Sequence, residues 1–360
     1  MIVVVAPAQE TWEIEEYLAQ HGSPLRSRLR ILTYDEIAAR QQVPLGTYVF
    51  VAIDQLSPTE KRIARICCDC LREADPQLTI LNRPSEVLLR VPLLRVCFER
   101  NRNRFRVYRA AEFLRCKHFP VFLRRDSDHL GNISGLLYTR AELARAVAEK
   151  VLRGFRLRDL IVVEYCDTMD TAGVFRKYSA FIVGNTILPH TVTHNRDWIT
   201  KSHGRLIDAD TVREELEYLS TDPHADWLRE TFALARINYG RIDYGLLNGC
   251  PQVWEINTNP TIARHAGADP LTDEQKQLRA VVRQHFHPRF QAAWEAIDST
   301  ADPDRMISVK VSERQRRRLA AEREWRLRIQ ARETALAVMA NLLIRLLWRC
   351  ARRLGLISTR

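Results

Sequence analysis

Residues 242–260 read IDYGLLNGCPQVWEINTNP, and this stretch decides the fold. Asn248 and Gly249 form a dipeptide that is typical of a tight hairpin turn. The apolar residues on both sides of it predict two strands, Ile242 to Leu247 and Val253 to Ile256. We therefore expect an antiparallel hairpin here.

Three polar side chains fall on this predicted hairpin. Glu255 and Asn257 are two residues apart, so they point to the same face of their strand. Asp243 is on the partner strand and can face them across the ladder. Two carboxylates and an amide oxygen form a hard oxygen site that suits Mg²⁺, which takes its other ligands from water and substrate phosphates. The alternative is an edge hairpin whose polar residues are solvated. The apolar residues Val253 and Ile256 make a fully solvent-exposed hairpin less favourable.

The hairpin resembles the metal-binding signature of the ATP-grasp superfamily, which includes D-alanine–D-alanine ligases and peptide glutamate ligases. The resemblance extends over residues from about 80 to 270, because upstream elements follow in the family's order. It implies that Asp243, Glu255 and Asn257 hold Mg²⁺ against the phosphates of ATP. ATP and Mg²⁺ are therefore the expected cofactors.

The stretch FPVFLRR, residues 119–125, is the first of these upstream elements and contains a short predicted strand, Val121 to Arg124. ATP-grasp proteins place a phosphate-contacting lysine at the end of this strand, and here Arg124 stands there. A guanidinium group can clamp phosphate with two hydrogen bonds, so the replacement is chemically possible. By resemblance, the loop 126–135 with Gly131 would close over the phosphates.

The second upstream element is an apolar strand that ends in an acidic residue and resembles the hinge between the two ATP-grasp lobes. By resemblance, the adenine would be read by Glu164, Tyr165 and Cys166. An acidic residue that follows the hinge binds the ribose in this family. Asp167 and Asp170 are both candidates, and a solvated acidic loop is the alternative.

Cationic residues near a third strand are candidates for catalysis. Similar enzymes carry an arginine near position 179 that contacts the transferred phosphate, but this chain has Ser179. Lys177 shares that strand face and could substitute for the arginine, with Arg176 beside it. Lys201 is another candidate for contact with the γ-phosphate or an acyl phosphate. Each of these cations could also be an ordinary surface charge.

The resemblance implies an ATP-dependent carboxylate–amine ligase that works through an acyl phosphate. Small-molecule or peptide carboxylates and amines are the expected substrates, and their identity does not follow from the sequence. Two alternatives remain open: a nucleotide-binding scaffold without turnover, motivated by Arg124 and Ser179, and a kinase of the same fold. The sequence contains no P-loop, dinucleotide-binding, zincin or α/β-hydrolase motif.

The organisation of the chain predicts a mixed α/β fold in three parts. Residues 1–85 alternate strands and helices and predict an open α/β domain with a mainly parallel sheet. Residues 86–300 form the predicted two-lobed ATP-grasp domain, which closes with a helix from Asp273 to Asp298 that we expect to be interrupted near Pro288. Residues 301–360 predict a long basic helix.

Charge is concentrated in this last part. The chain carries +11, and residues 301–360 contribute +9 with 15 basic and 6 acidic residues. Ser312 and Gln315 predict the helix start. Between 334 and 354 the predicted helix has a polar stripe and a broad apolar face. The polar stripe is formed by Asn341, Arg345, Arg349 and Arg352. Such a helix suits an anionic membrane surface, with packing on the domain or self-association as the alternative. Nucleic acid is a poor partner, because the apolar half has no use on a phosphate backbone.

No signal peptide or run of 18 apolar residues is present, and the eight cysteines lack the spacing of a disulfide framework. We therefore expect a cytoplasmic protein, with peripheral contact at the inner membrane surface through the basic helix.

Overall fold

The computed structural model describes residues 1–127, 131–200, 204–262, 271–299 and 304–328. It is a mixed α/β structure with four sheets, which confirms the expected fold class. The strands, in chain order, are β1 Ile2–Ala6, β2 Leu29–Thr33, β3 Gln42–Pro44, β4 Thr47–Phe50, β5 Ile80–Leu81, β6 Val107–Arg109, β7 Val121–Arg125, β8 Leu160–Glu164, β9 Phe175–Val183, β10 Thr186–Asn195, β11 Arg205–Leu206, β12 Tyr239–Leu247, β13 Cys250–Asn257 and β14 Met306–Ser308. The helices are α1 Trp12–Gln20, α2 Tyr34–Arg40, α3 Pro58–Ala74, α4 Arg90–Glu99, α5 Arg140–Leu152, α6 Ala209–Thr221, α7 Ala225–Ala235 and α8 Asp273–Ala296.

The N-terminal sheet has the order β2-β1-β4-β5, and its pairs are parallel as predicted. All five residues of β1 are buried, because helices cover both faces of this sheet. Helix α3 begins with a complete capping box: the Ser57 hydroxyl accepts from the Glu60 amide, and the Glu60 carboxylate accepts from the Ser57 amide.

Two antiparallel sheets follow. One has three strands in the order β6-β8-β7, and the other has five in the order β11-β10-β9-β12-β13. The second contains the predicted hairpin, β12–β13, and a further hairpin, β9–β10. Helices α6, α7 and α8 pack their apolar side chains against the five-stranded sheet.

Helix α8 differs from the expectation in one respect. It runs without a break through Pro288, so the predicted interruption is wrong. Buried Phe286 and Phe290 flank the proline and pack into the core between the two domains. We attribute the continuous helix to this packing, which offsets the single missing backbone hydrogen bond.

The segment after α8 joins the N-terminal domain. Strand β14 pairs antiparallel with β3. Val309, Val311 and Leu319 are buried in the same core as β1 and α3. A helix over 313–328 begins at Ser312, whose hydroxyl accepts from the Gln315 amide as predicted. The predicted apolar half of this helix, 334–354, lies outside the described residues.

Within the part of the chain that the structure describes, no helix combines the length and apolarity that crossing a bilayer requires.

Candidate functional site

A cleft of about 510 Å³ opens between the three-stranded and the five-stranded sheet. Its polar end is built on β12 and β13, and its apolar end on β7, β8 and the segment after β10. It therefore has a charged and a hydrophobic part, which is typical of small-molecule sites.

The β12–β13 register creates the polar end. Asp243 lies directly opposite Glu255, and Arg241 lies opposite Asn257. Because opposite residues of an antiparallel pair share a face, all four side chains point into the cleft, as predicted for three of them. Gly240 permits the close strand approach, since a Cβ there would come within 2.6 Å of the Asn257 carbonyl oxygen.

Asp243 is 5% exposed and is paired with two cations. Its Oδ1 accepts from Arg241 Nε at 2.9 Å, and its Oδ2 lies 3.3 Å from Lys177 Nζ. Lys177, on the neighbouring strand β9, therefore pairs with the carboxylate of Asp243, which we predict to bind the metal.

Glu255 is paired with two more cations. Its Oε2 accepts from Arg90 Nη2 at 2.6 Å and from Arg124 Nη2 at 2.7 Å. Arg90 is 7% exposed and also donates to the backbone carbonyl groups of Arg125 and Asp126. It therefore connects the carboxylate to the end of β7, where the glycine loop begins.

We call these six side chains the cleft network: Arg90, Arg124, Lys177, Arg241, Asp243 and Glu255. Four cations face two carboxylates, so the network by itself carries a surplus of two positive charges. Burial makes such a surplus costly unless an anion balances it. The arrangement is suited to a polyphosphate.

The oxygen donors fit Mg²⁺ by their chemistry. Asp243, Glu255 and Asn257 bring hard oxygens to one face. The side-chain oxygen Oδ1 of Asn257 accepts a hydrogen bond from the backbone N–H of Asn259 at 2.8 Å. Among the described residues no group of three His, Cys, Asp or Glu side chains forms a metal site. Two carboxylates and an amide leave coordination positions for substrate oxygens, which is the usual pattern for Mg²⁺.

The loop after β7 borders the same cleft. Its two ends pair as a hairpin, with an isolated bridge between Arg124 and Asn132. Gly131 lines the cleft and has φ 95°, a conformation that favours glycine.

The apolar end lies at the predicted hinge. Glu164, Tyr165 and Cys166 line it, but the Glu164 carboxylate already accepts from the Arg106 amide and the Tyr108 hydroxyl. Burial raises the pKa of the Cys166 thiol to about 11, so it is a neutral apolar contact at physiological pH.

Trp198 closes this end from the segment after β10. Its ring packs against Phe122 at 5.1 Å and against Tyr165 at 5.6 Å between centroids. The planes of Phe122 and Tyr165 are inclined to that of Trp198 by 58° and 87°, so the three rings form an angled apolar wall that an aromatic base can contact.

Three candidate residues lie away from the cleft. Arg176 turns from it, donates to Glu214 at 2.7 Å and pairs with Asp170. Asp170 also caps the Ala172 and Val174 amides, and Asp167 is exposed and accepts from Tyr165 Oη. The structure does not bring these side chains together with the cleft network. Lys201 lies outside the described residues.

Arg90 and Arg241 are in the site although neither was among the sequence candidates. Arg241 could have been found, because it is two residues from Asp243 and must share its strand face. Arg90 opens helix α4, 165 residues before its partner Glu255. No local pattern marks that contact.

No protein-family model matches the sequence, and none of the curated proteins matches it. Among solved structures, D-alanine–D-alanine ligase from Bacillus anthracis complexed with ATP is 11% identical with a TM-score of 0.43, over 81% of this chain and 98% of that chain. The L-amino acid ligase from Bacillus licheniformis is 11% identical with a TM-score of 0.40, over 85% of this chain and 78% of that chain. The ATP-grasp ligase PsnB, complexed with a precursor variant, Mg and ADP, is 10% identical with a TM-score of 0.42, over 79% of this chain and 97% of that chain. No substrate or residue role passes to this chain at such identities.

Proposed function

We propose that this chain is an ATP- and Mg²⁺-dependent ligase that joins a carboxylate to an amine. The observation that carries the proposal is the cleft network, in which four buried or half-buried cations surround two carboxylates. A triphosphate supplies the anionic charge that this network lacks, and the carboxylates supply the metal ligands that a triphosphate needs.

The different chemistry of the two ends of the cleft supports one orientation of the nucleotide. The adenine would lie against the wall of Trp198, Tyr165 and Phe122, next to the hinge backbone. The phosphates would then extend toward Arg124 and Lys177.

Asp243, Glu255 and Asn257 would hold Mg²⁺. When bound, this ion neutralises phosphate charge and raises the electrophilicity of the γ-phosphorus. The cations that neutralise the carboxylates in this structure have the chemistry to contact phosphate oxygens.

The reaction proceeds in two displacements. A carboxylate oxygen of the first substrate bonds to the γ-phosphorus while the bond to ADP breaks, which gives an acyl phosphate. The amine nitrogen then bonds to the acyl carbon, inorganic phosphate leaves, and the proton lost by the amine goes to that phosphate or to water. Arg124, Lys177 and Arg241 stabilise the charge on the transferring phosphoryl group, which is where such catalysis resides.

The test is an assay of the full-length protein with Mg-ATP and pooled amino acids and short peptides. A ligase yields ADP, inorganic phosphate and a product whose mass is the sum of two substrates less one water. Added hydroxylamine should trap the acyl phosphate as a hydroxamate. Asp243→Asn should abolish all of these signals, whereas Asp226→Asn, on the exposed surface of α7, should keep them.

Two other outcomes would replace the proposal. ADP with a phosphorylated product and no free phosphate identifies a kinase. ATP binding without ADP formation against any pooled substrate supports a scaffold.

A further inference from the structure

Two segments far apart in the sequence expose apolar side chains. One is 150–158, at the end of α5, and the other is the helix 313–328. Five of the eleven large hydrophobic side chains that are exposed among the described residues belong to them, namely Val151, Leu152, Leu157, Trp325 and Leu327. Leu152 is 88% exposed. Leu327 lies about 200° around its helix from Trp325, so the other four side chains are the candidates for one interaction surface.

A direct contact brings the two segments together. The Arg156 guanidinium lies over the Trp325 ring, 5.0 Å from its centroid. The helix that carries Trp325 is fixed to the N-terminal domain, because Arg326 pairs with Glu60 at 2.7 Å and Glu322 accepts from the Thr59 hydroxyl at 2.8 Å. Trp325 therefore stands on a helix that is anchored to the N-terminal residues, next to segment 150–158. We call residues 150–158 and 313–328 the Arg–Leu surface.

This surface is strongly basic. Residues 149–159 contain Lys150, Arg153, Arg156 and Arg158 against Glu149 and Asp159, which pair with Arg153 and Arg158. The helix 313–328 contains seven arginines and three glutamates. Cations therefore outnumber carboxylates in both segments, and apolar side chains beside such an excess suit an anionic interface with an apolar layer beneath it.

The charge decides between the available occupants. The chain's own segment 329–360 carries six arginines and one glutamate. It is therefore positively charged, like the Arg–Leu surface, and the two would repel each other. A second copy pairing through the same surface would again oppose arginine to arginine. An anionic lipid headgroup layer complements both the surface and the segment that follows it.

We propose that the Arg–Leu surface binds the anionic face of a lipid bilayer. Leu152, Leu157 and Trp325 enter the boundary between headgroups and acyl chains, and the surrounding arginines contact the headgroups. The globular body thus contributes its own membrane contact, in addition to any that residues 334–354 provide. This inference does not depend on the proposed ligase activity.

The test uses the full-length protein and co-sedimentation with vesicles of phosphatidylcholine, with or without phosphatidylserine. We expect binding to the phosphatidylserine vesicles that weakens with added salt, and little binding to phosphatidylcholine alone. The triple variant Leu152→Ser, Leu157→Ser and Trp325→Ser should bind at least about tenfold more weakly, because it loses most of the inserted apolar area. Val281→Ser removes an exposed apolar side chain from α8 and should bind like the wild type.

Three results would overturn the proposal. Undiminished binding by the triple variant would assign the membrane contact to residues 329–360 alone. Equal binding to both kinds of vesicle, or to neither, would exclude an anionic bilayer as the partner. Sedimentation velocity that shows dimers in the wild type and monomers in the triple variant, without vesicle binding, would assign the surface to a second copy. Far-UV circular dichroism checks that the triple variant is folded.

Discussion

Two charged clusters flank the five-stranded sheet, and they differ in their ratio of cations to carboxylates. The cleft network has four cations and two carboxylates. The second cluster, which we call the α6 network, has three arginines and three carboxylates, Arg176, Arg205 and Arg279 with Asp170, Glu214 and Glu215, and His194 also contacts Glu214. Both clusters are partly or fully buried, yet arginines and carboxylates are equal in number in the α6 network, whereas cations outnumber carboxylates in the cleft network. The comparison indicates that the α6 network stabilises the fold, whereas the cleft network is built to receive an anion.

The largest expected effect comes from breaking the α6 network. Glu215 is 1% exposed and accepts from both Arg205 and Arg279. Glu215→Ala should lower the free energy of unfolding by about 3–5 kcal/mol, because it leaves two buried guanidinium groups without their carboxylate. Urea denaturation measures this loss, and Glu217→Ala on the exposed face of the same helix is the control.

The ATP affinity of the folded Glu215→Ala variant should not change. A change of tenfold or more would show that the two networks are not separate.

The next effect tests the cleft. Arg124→Ala should weaken ATP binding about 10- to 100-fold, since hydrogen bonds to charged groups contribute about 1.5–3 kcal/mol. Adenosine affinity should be almost unchanged, because adenosine has no phosphates. Arg125→Ala is the matched control: its guanidinium lies over the Phe155 ring at 4.4 Å, away from the cleft. Equal losses for ATP and adenosine would instead assign Arg124 to the fold.

Adjacent residues on β9 sharpen the comparison, because Lys177 faces the cleft and Arg176 belongs to the α6 network. Lys177→Ala should lower turnover about tenfold or more with little effect on the melting temperature, since it removes a cation near the transferring phosphate. Arg176→Ala should do the reverse and lower the melting temperature by a few degrees, roughly as expected for 1–2 kcal/mol. Turnover and thermal denaturation of both variants decide this. Loss of turnover in Arg176→Ala at full stability would return Arg176 to the catalytic candidates.

The smallest effect concerns pH. The Arg176 guanidinium and the Val174 and Ala172 amides donate to Asp170 and hold the pKa of its carboxyl below the ordinary 3.8. A depressed folded pKa contributes stability above the ordinary value, and this contribution is lost as the pH falls through the depressed one. Asp170→Asn should therefore melt about 1–2 °C lower at neutral pH, and the difference should shrink in acid. A constant difference at all pH values would argue against the ion pair as its cause.

The hairpin that decided the fold was predictable because its signals are local. The Asn248-Gly249 turn and the two-residue strand period place Asp243, Glu255 and Asn257 on one face, and the structure confirms that placement. Their metal-binding role stays a prediction.

Long-range contacts were not predictable in the same way. β3 and β14 pair across more than 260 residues, and Arg90 reaches Glu255 from a helix terminus. The opposite faces of Arg176 and Lys177, by contrast, follow from the two-residue period of a strand and could have separated these two candidates from the sequence.

The most direct test of the account is calorimetric titration of Mg-ATP into the wild type and into Glu255→Gln. Glutamine keeps the size and one oxygen acceptor for Arg90 and Arg124, but it removes the negative charge that a metal ion needs. We predict that the wild type binds ATP more tightly with Mg²⁺ than without it, and that Glu255→Gln loses this Mg²⁺ dependence while it remains folded, which far-UV circular dichroism checks. Unchanged Mg²⁺-dependent affinity in Glu255→Gln would contradict the assignment of the cleft network as a Mg-ATP site.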